Sequence, residues 1–67
     1  MGSIGENIRK YRRKRNLTQK QLGELLELSN TYLSDIENNR TNPSIKTLKK
    51  VAKALEVSYI ELLEDTE

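Results

Sequence analysis

The side chains best suited to chemistry in this chain lie on one flank of a short segment, residues 29–37. Turning 100° per residue along this segment puts Leu33, Ile36 and Glu37 on one side and Thr31 and Asp35 almost opposite. The outward groups are hydroxyl and carboxylate groups, which exchange hydrogen bonds but do not assemble a nucleophile, base and oxyanion site. Groups of this kind match the hydrogen-bonding edges of bases in the major groove of DNA.

Each outward residue suits a particular base contact. Asn30, in the first turn, can bond adenine through two atoms, and the methyl group of Thr31 can touch that of thymine. Asp35 can accept from the amino group of cytosine, but phosphates repel it unless a cytosine or an arginine pairs with it. The ring of Tyr32 either lies against thymine methyls or the sugar-phosphate edge, or packs on the first helix. The candidate base-reading residues are therefore Asn30, Thr31, Tyr32 and Asp35, and the alternative is that they are simply solvated residues on an exposed face.

Phosphate contacts are expected at the starts of helices and in the polar loop that follows residue 37. The first turn of a helix offers unpaired amide donors and the positive end of the helix dipole, both of which favour an anion. The candidates for phosphate contact are Thr18, Gln19, Ser29, Ser34, Asn39, Arg40, Thr41 and Lys46. The alternative is ordinary turn chemistry in the loop and a solvated face at Lys46.

Five helical segments are needed to position these side chains, and the sequence has no strand alternation. The first covers residues 4–15 and carries most of the basic residues, the second covers residues 18–26, and the third covers residues 29–37. The fourth begins behind Pro43 with Ser44 as its cap, and its apolar stripe is Ile45, Leu48, Val51, Ala52 and Leu55. A short fifth helix carries Tyr59, Leu62 and Leu63. The predicted fold is all-α, one compact five-helix domain over residues 4–65, with a helix-turn-helix formed by the second and third helices.

Two capping boxes mark helix starts. Thr18 is followed three residues later by Gln21, and Ser58 by Glu61, which is the spacing at which cap and third residue exchange hydrogen bonds with each other's backbone. Ser29 opens the third helix in the same way without the partner. These signals place the boundaries of the second, third and fifth helices.

Composition excludes several classes of function. The 67 residues include no cysteine and no histidine, which removes disulfides, thiolate metal sites and the usual nucleophilic catalysts. We therefore expect neither an enzyme nor a bound cofactor or metal. No apolar run approaches the roughly 20 residues that span a bilayer, and the start lacks a secretion signal, so the sequence predicts a cytoplasmic protein without membrane contact.

The net charge of +2 conceals a strong asymmetry. Residues 1–50 hold eleven lysines and arginines against five acids, whereas residues 51–67 hold one lysine against five acids. This distribution favours a basic surface toward a polyanion and an acidic end turned away from it, although two solvated helix faces would look the same.

Residues 4–63 resemble the DNA-binding domain of the lambda repressor and Cro group, also called the XRE family. The resemblance rests on a specific combination of residues: Thr18-Gln19, Leu22, Ser29, Ile36-Glu37, Pro43-Ser44, Leu55 and Val57-Ser58. It implies a transcriptional regulator, in particular a repressor, that binds an inverted-repeat operator in double-stranded DNA as a homodimer. It also implies that Gln19 contacts a phosphate and that Asn39, Arg40 and Thr41 form the phosphate loop.

The resemblance further implies an ion pair between Arg12 in the first helix and Glu37 at the end of the third. The pair has a physical basis as well, because Glu37 lies on the inner side of its helix, where an unpaired carboxylate is costly. Two positions depart from the family. Glu27 stands in the turn where the family has glycine, so either a residue with a side chain adopts the left-handed conformation or the turn differs, and Gly23 replaces alanine in the second helix.

Apolar residues near the end of the domain are candidates for a dimer contact. Ile60 and Leu25 have no obvious inward role, and Ile60 falls beside Leu63 and close to Val57. An exposed patch of Val57, Ile60 and Leu63 would suit a self-complementary interface, and the alternative is a wider core stripe. A different class of function, a protein-binding adaptor or antitoxin on the same scaffold, is also compatible with Asp35 and the acidic end of the chain.

Overall fold

The computed structural model describes residues 3–63, which form five α-helices and no strand. The helices are α1 (Ile4–Lys14), α2 (Gln19–Leu26), α3 (Asn30–Glu37), α4 (Ile45–Leu55) and α5 (Tyr59–Leu63). The all-α prediction and the helix-turn-helix at α2 and α3 are confirmed. The predicted domain runs to residue 65, so its last two residues lie outside the described range. None of the described helices is long and apolar enough to cross a bilayer.

One core joins all five helices. α1 packs on α3, α4 and α5, while α2 packs on α3 and α4. The buried apolar side chains are Ile8, Leu22, Leu26, Leu33, Ile36, Leu48, Val51, Ala52, Leu55 and Leu62. Ile45, predicted on the buried stripe of α4, is instead 54% exposed, because it is the first residue of its helix and lies beyond the end of the core.

Hydroxyl caps set the starts of the helices. The side chains of Thr18, Ser29 and Ser44 each accept a hydrogen bond from the backbone N–H three residues later. At Thr18 the capping box is complete, since Gln21 Oε1 also accepts from the Thr18 N–H at 2.9 Å. Ser58 differs from the prediction: its Oγ accepts from the N–H of Ile60 at 3.2 Å, in the tighter first turn of a five-residue helix.

The turn between α2 and α3 is left-handed at a residue with a side chain. Glu27 has φ 58° and ψ 37°, and the N–H of Leu28 donates to the carbonyl of Gly23 at 2.9 Å. This is the helix ending in which glycine is usual, so Glu27 bears the cost of a side chain at positive φ. The Leu28 carbonyl lies so close to Gly23 that an added Cβ would stand 2.9 Å from it. Gly23 therefore lets the turn fold back on α2.

A second glycine brings α1 against the end of α3. A Cβ on Gly5 would overlap the carbonyl oxygen of Ile36 and lie 2.9 Å from that of Glu37. Gly5 is buried, and α1 crosses the last turn of α3 at this point. The contact fixes the C-terminal end of α3 relative to the basic helix.

Candidate nucleic-acid interface

The outward flank of α3 is open to solvent at its N-terminal turn. Asn30 and Thr31 are exposed, and Ser34 and Asp35 are half-buried. Tyr32 is also half-buried and packs on the edge of the core, which favours the predicted packing role for part of its ring. Of the base-reading candidates, Asn30 and Thr31 are therefore accessible, while Tyr32 and Asp35 are accessible only in part.

The inner side of α3 is held by a buried ion pair. Arg12 Nε lies 2.7 Å from Glu37 Oε2, and Arg12 Nη2 donates to Glu37 Oε1 at 3.0 Å, so the guanidinium meets both carboxylate oxygens. The Glu37 side chain is fully buried. Arg12 Nη1 also donates to the carbonyl of Leu17 at 2.7 Å. This network ties α1, the α1–α2 connection and α3 together.

Two further residues converge on the same carboxylate. Gln19 Nε2 donates to Glu37 Oε1 at 3.0 Å, and Arg9 Nε lies 3.5 Å from that oxygen. Burial by itself would raise the pKa of Glu37, but the hydrogen bonds from Arg12 and Gln19 and the charge of Arg12 outweigh it and hold that pKa below its ordinary value. Glu37 is thus ionised across the neutral range.

The position of Gln19 bears on its predicted phosphate contact. One amide hydrogen of its Nε2 is engaged by Glu37, which orients the side chain at the start of α2 and leaves its second amide hydrogen for another acceptor. The α2 start therefore lies beside the end of α3.

The loop after α3 folds back on the outer side of the helix. The N–H of Arg40 donates to the Asp35 carbonyl at 2.8 Å, and Arg40 Nη1 lies 3.5 Å from Asp35 Oδ1. Asn38 Nδ2 donates to the Ser34 carbonyl at 2.9 Å, and Asn38 Oδ1 accepts from Arg9 Nη2 at 2.8 Å. Asp35 therefore has an arginine neighbour, which is one of the two partners expected for it.

The remaining phosphate candidates lie at helix starts or in the loop. Thr18, Ser29 and Lys46 are exposed, as are Asn39 and Arg40, while Thr41 is half-buried. Asn39 has φ 62°, a left-handed conformation that asparagine tolerates well. Because the cap hydroxyls of Thr18 and Ser29 act as acceptors toward their own helices, each keeps its O–H for an outside acceptor.

The predicted dimer residues differ in exposure. Ile60 is 60% exposed and Leu63 44% exposed, whereas Val57 is half-buried and packs on the core. Ile60 and Leu63 stand three residues apart on α5 and form an apolar strip on its surface.

Sequence reasoning missed three residues that shape this site: Gly5, Asn7 and Arg9. Asn7 is buried and its Nδ2 donates to the Leu62 carbonyl at 2.8 Å, which joins α1 to α5. Arg9 links Glu37 to Asn38. A glycine in the first turn of a helix is the one available signal, since it often marks a close approach of another backbone.

A short helix-turn-helix with an open polar flank and ordered helix starts beside it defines a DNA-binding domain of the transcriptional-regulator class. The chain belongs to the helix-turn-helix family, whose model matches residues 8–62, and the resemblance to the lambda repressor and Cro group is thereby confirmed. This family is a family of DNA-binding regulators rather than a class of enzymes.

Individual relatives agree with this assignment. The immunity repressor protein of Bacillus phage phi105 is 51% identical over 53 residues, which is 79% of this chain and 37% of that protein. SinR of Bacillus subtilis, an HTH-type transcriptional regulator, is 41% identical over 63 residues, covering 92% of this chain and 57% of that protein. This chain thus corresponds to only part of either relative.

Solved structures match over nearly the whole domain. SinR, the master regulator for biofilm formation, in complex with DNA has a TM-score of 0.85 at 42% identity, covering 91% of this chain and 98% of that one. The P22 c2 repressor with a synthetic operator has a TM-score of 0.88 at 34% identity, covering 96% and 97%. The names of these relatives favour DNA binding over the adaptor alternative.

Proposed function

We propose that residues 4–65 form the DNA-binding unit of a cytoplasmic repressor that reads an inverted-repeat operator as a homodimer, with α3 in the major groove. The observation that carries this proposal is the open polar flank of α3, held in place from behind by the buried Arg12–Glu37 pair. The proposed function includes no reaction step and no cofactor.

In this proposal the first turn of α3 reads bases. Asn30 and Thr31 are exposed at the end of the helix that enters a groove first. Tyr32 and Asp35 contribute at the sides, and the positive charge of the neighbouring Arg40 partly offsets the negative charge of Asp35. A well-formed bidentate contact of the Asn30 type discriminates between bases by about 1–3 kcal/mol.

Phosphates on the two edges of the groove are bound by two groups of residues. Thr18, Gln19 and Ser29 offer donors at the starts of α2 and α3, and the loop residues Asn39, Arg40 and Thr41 lie beyond the end of α3. Ser34, and Lys46 in the first turn of α4, complete the set. These contacts position the domain without reading sequence.

The dimer is proposed to form through α5. Ile60 and Leu63 present exposed apolar surface there, with Val57 at its edge. A two-fold contact would set two copies of α3 about 34 Å apart, on successive major grooves of one face of the duplex. Both SinR and the P22 c2 repressor have been solved with DNA, which supports a duplex as the ligand.

Selection of bound sequences from a random duplex pool tests this proposal. We expect an enriched inverted repeat with half-site centres about 10 base pairs apart. Recovery of unselected DNA with no shared site, or binding that does not weaken steeply as salt rises, would remove the regulator function and favour the adaptor alternative.

Two variants distinguish base-reading residues from phosphate-contacting residues in the same selection. Asn30→Ala should relax the preference at one base position, and Arg40→Ala should weaken all sites alike. Lys53→Ala removes the same charge far along α4 from the proposed contacts and serves as the matched control. If Arg40→Ala and Lys53→Ala weaken DNA binding equally, the loop after α3 does not make a specific phosphate contact.

A further inference from the structure

An apolar groove lies between α2 and α4, outside the proposed DNA interface. Its volume is about 480 Å³, and it is lined by Leu25, Leu26, Lys50, Lys53 and Ala54. Leu26 is buried at the base and Ala54 is half-buried, but Leu25 at the rim is 61% exposed. These five residues are called the α2–α4 groove below.

The two charged residues that line the groove are both lysines. Lys50 and Lys53 are both exposed, and within residues 3–63 neither makes an ion pair or a side-chain hydrogen bond. The adjacent Lys49 differs, since its ammonium lies over the ring of Tyr59. Of the acidic residues nearby, the exposed Glu24 and Glu27 flank Leu25 and Leu26 in the chain but do not line the groove, and Glu56 is paired with Arg15 at 3.1 Å. Two unopposed lysines beside an exposed leucine therefore characterise this groove.

The groove is set away from the surface that would face DNA. Leu25 follows the α2 cap Thr18 by seven residues and Lys53 follows the α4 cap Ser44 by nine, which is about 10.5 and 13.5 Å along the two helices. Ser29 is the nearest proposed contact in the chain, four residues after Leu25. None of the proposed base or phosphate contacts lines the groove. We therefore expect a ligand in the groove and a duplex on α3 to bind together.

We propose that the α2–α4 groove binds an acidic amphipathic helix of a partner protein. An apolar side chain of that helix packs on Leu25 and Ala54, and carboxylates on its flanks pair with Lys50 and Lys53. Insertion of an amphipathic helix into an apolar groove is a common mode of recognition, and complementary rim charges select the sign of the partner. The inference does not depend on the proposed DNA contacts.

A titration followed by amide NMR shifts tests the groove with defined probes. The full chain is titrated with a synthetic amphipathic peptide that carries leucines on one face and glutamates beside them, and with a control peptide that has lysine at every glutamate position. We expect saturable shifts centred on Leu25, Lys50 and Ala54, with the acidic peptide bound at least about tenfold more tightly than the basic one. Equal affinity for the two peptides, or shifts spread elsewhere on the domain, would overturn the proposal.

Substitutions in the groove test its apolar residue and its two lysines separately. Leu25→Gln should weaken the acidic peptide by about tenfold through loss of apolar contact, and Lys50→Glu with Lys53→Glu should invert the preference between the peptides. Ile45→Gln, at a similarly exposed apolar residue outside the groove, is the matched control and should leave peptide affinity unchanged. An equal loss with Ile45→Gln would show non-specific apolar adhesion and would overturn the proposal.

Duplex DNA distinguishes this inference from the proposed function. We expect the acidic peptide to bind the DNA-bound chain with unchanged affinity, and Leu25→Gln to bind duplex DNA as the unsubstituted chain does. Mutual displacement of peptide and duplex would assign the groove to the DNA interface instead. Shifts at the groove that grow with chain concentration in the absence of peptide would assign it to a second copy of the chain.

Discussion

The two carboxylates of α3 lie two residues apart and have opposite surroundings. Glu37 is fully buried and meets the guanidinium of Arg12 through both oxygens, at 2.7 and 3.0 Å. Asp35 is on the outer side, and its arginine neighbour, Arg40, is 3.5 Å away with a 70% exposed side chain. Both are carboxylate–arginine pairs, and they differ in burial and in the number and length of their contacts.

Because the Arg12–Glu37 pair is buried, the folded state requires both of its partners. The exposed Asp35–Arg40 pair can be broken at little cost in stability. Removing one partner of a buried pair leaves an uncompensated charge in the interior, whereas an exposed pair contributes little because water and salt screen it. α3 is therefore fixed from behind, while the groups that would meet DNA can give up their partners for phosphates or bases. Substitutions on the two sides test this division directly.

The largest expected effect is that of Glu37→Ala. Loss of the carboxylate leaves Arg12 without its partner and should lower the free energy of unfolding by about 3 kcal/mol. Urea denaturation followed by circular dichroism measures it, with Asp35→Ala as the control that removes a carboxylate from the outer side. Equal losses for the two variants would show that burial does not separate the pairs.

A smaller loss of stability is expected when a side chain is added at Gly5, where α1 packs against the end of α3. In Gly5→Ala the added methyl group meets the backbone carbonyls of Ile36 and Glu37, so α1 must shift, at a cost of about 1–3 kcal/mol. Gly23→Ala is the comparison, since its Cβ would meet one backbone carbonyl, that of Leu28 at 2.9 Å, and alanine regains about 1 kcal/mol of helix propensity to offset that contact. Thermal melts should therefore rank Gly5→Ala well below Gly23→Ala, and the reverse order would contradict this packing.

Lowering the pH should weaken the buried Arg12–Glu37 pair. The pKa of Glu37 is held below its ordinary value of 4.5 in the folded chain, so its contribution to stability is full above that value. The contribution is lost progressively as pH falls from the ordinary pKa to the lower, folded pKa, because over that range the unfolded state binds a proton that the folded state does not. Glu37→Gln should flatten the dependence of stability on pH below the ordinary value of 4.5, and the change in stability should be smaller than that caused by the alanine substitution. If the stability of Glu37→Gln falls with pH as steeply as that of the unsubstituted chain, Glu37 is not the group responsible for the loss of stability in acid.

The smallest effect on stability is expected for a substitution on the outer side of α3, at Asp35. Asp35→Asn should change the free energy of unfolding by less than about 0.5 kcal/mol, because the pair with Arg40 is exposed. It should raise the affinity for duplex of mixed sequence at low salt, since a charge that repels phosphates is removed and Arg40 is released. Urea denaturation measures the change in stability, and fluorescence anisotropy at two salt concentrations measures the change in duplex affinity. A large loss of stability would place Asp35 in the same category as Glu37.

Local patterns in the sequence predicted most of the fold. Apolar spacing gave the five helices, and the hydroxyl caps at Thr18, Ser29 and Ser44 gave their starts, because both signals act within one or two turns of the chain. Glu27 adopts the left-handed conformation that the turn requires, as one of the two alternatives expected. The fifth helix was also predicted, but not the way in which Ser58 caps it.

The sequence by itself thus determined the helices, the family and the outward flank of α3, since periodicity alone decides which residues share a side. The tertiary structure decided the contacts among distant residues: Arg9 and Gln19 meet Glu37 across 28 and 18 positions, and Gly5 meets the carbonyl of Ile36. It also exposed Ile45 and opened the α2–α4 groove. Such features depend on how the helices cross, and helix crossing is set by the packing of whole faces rather than by the spacing within any one of them.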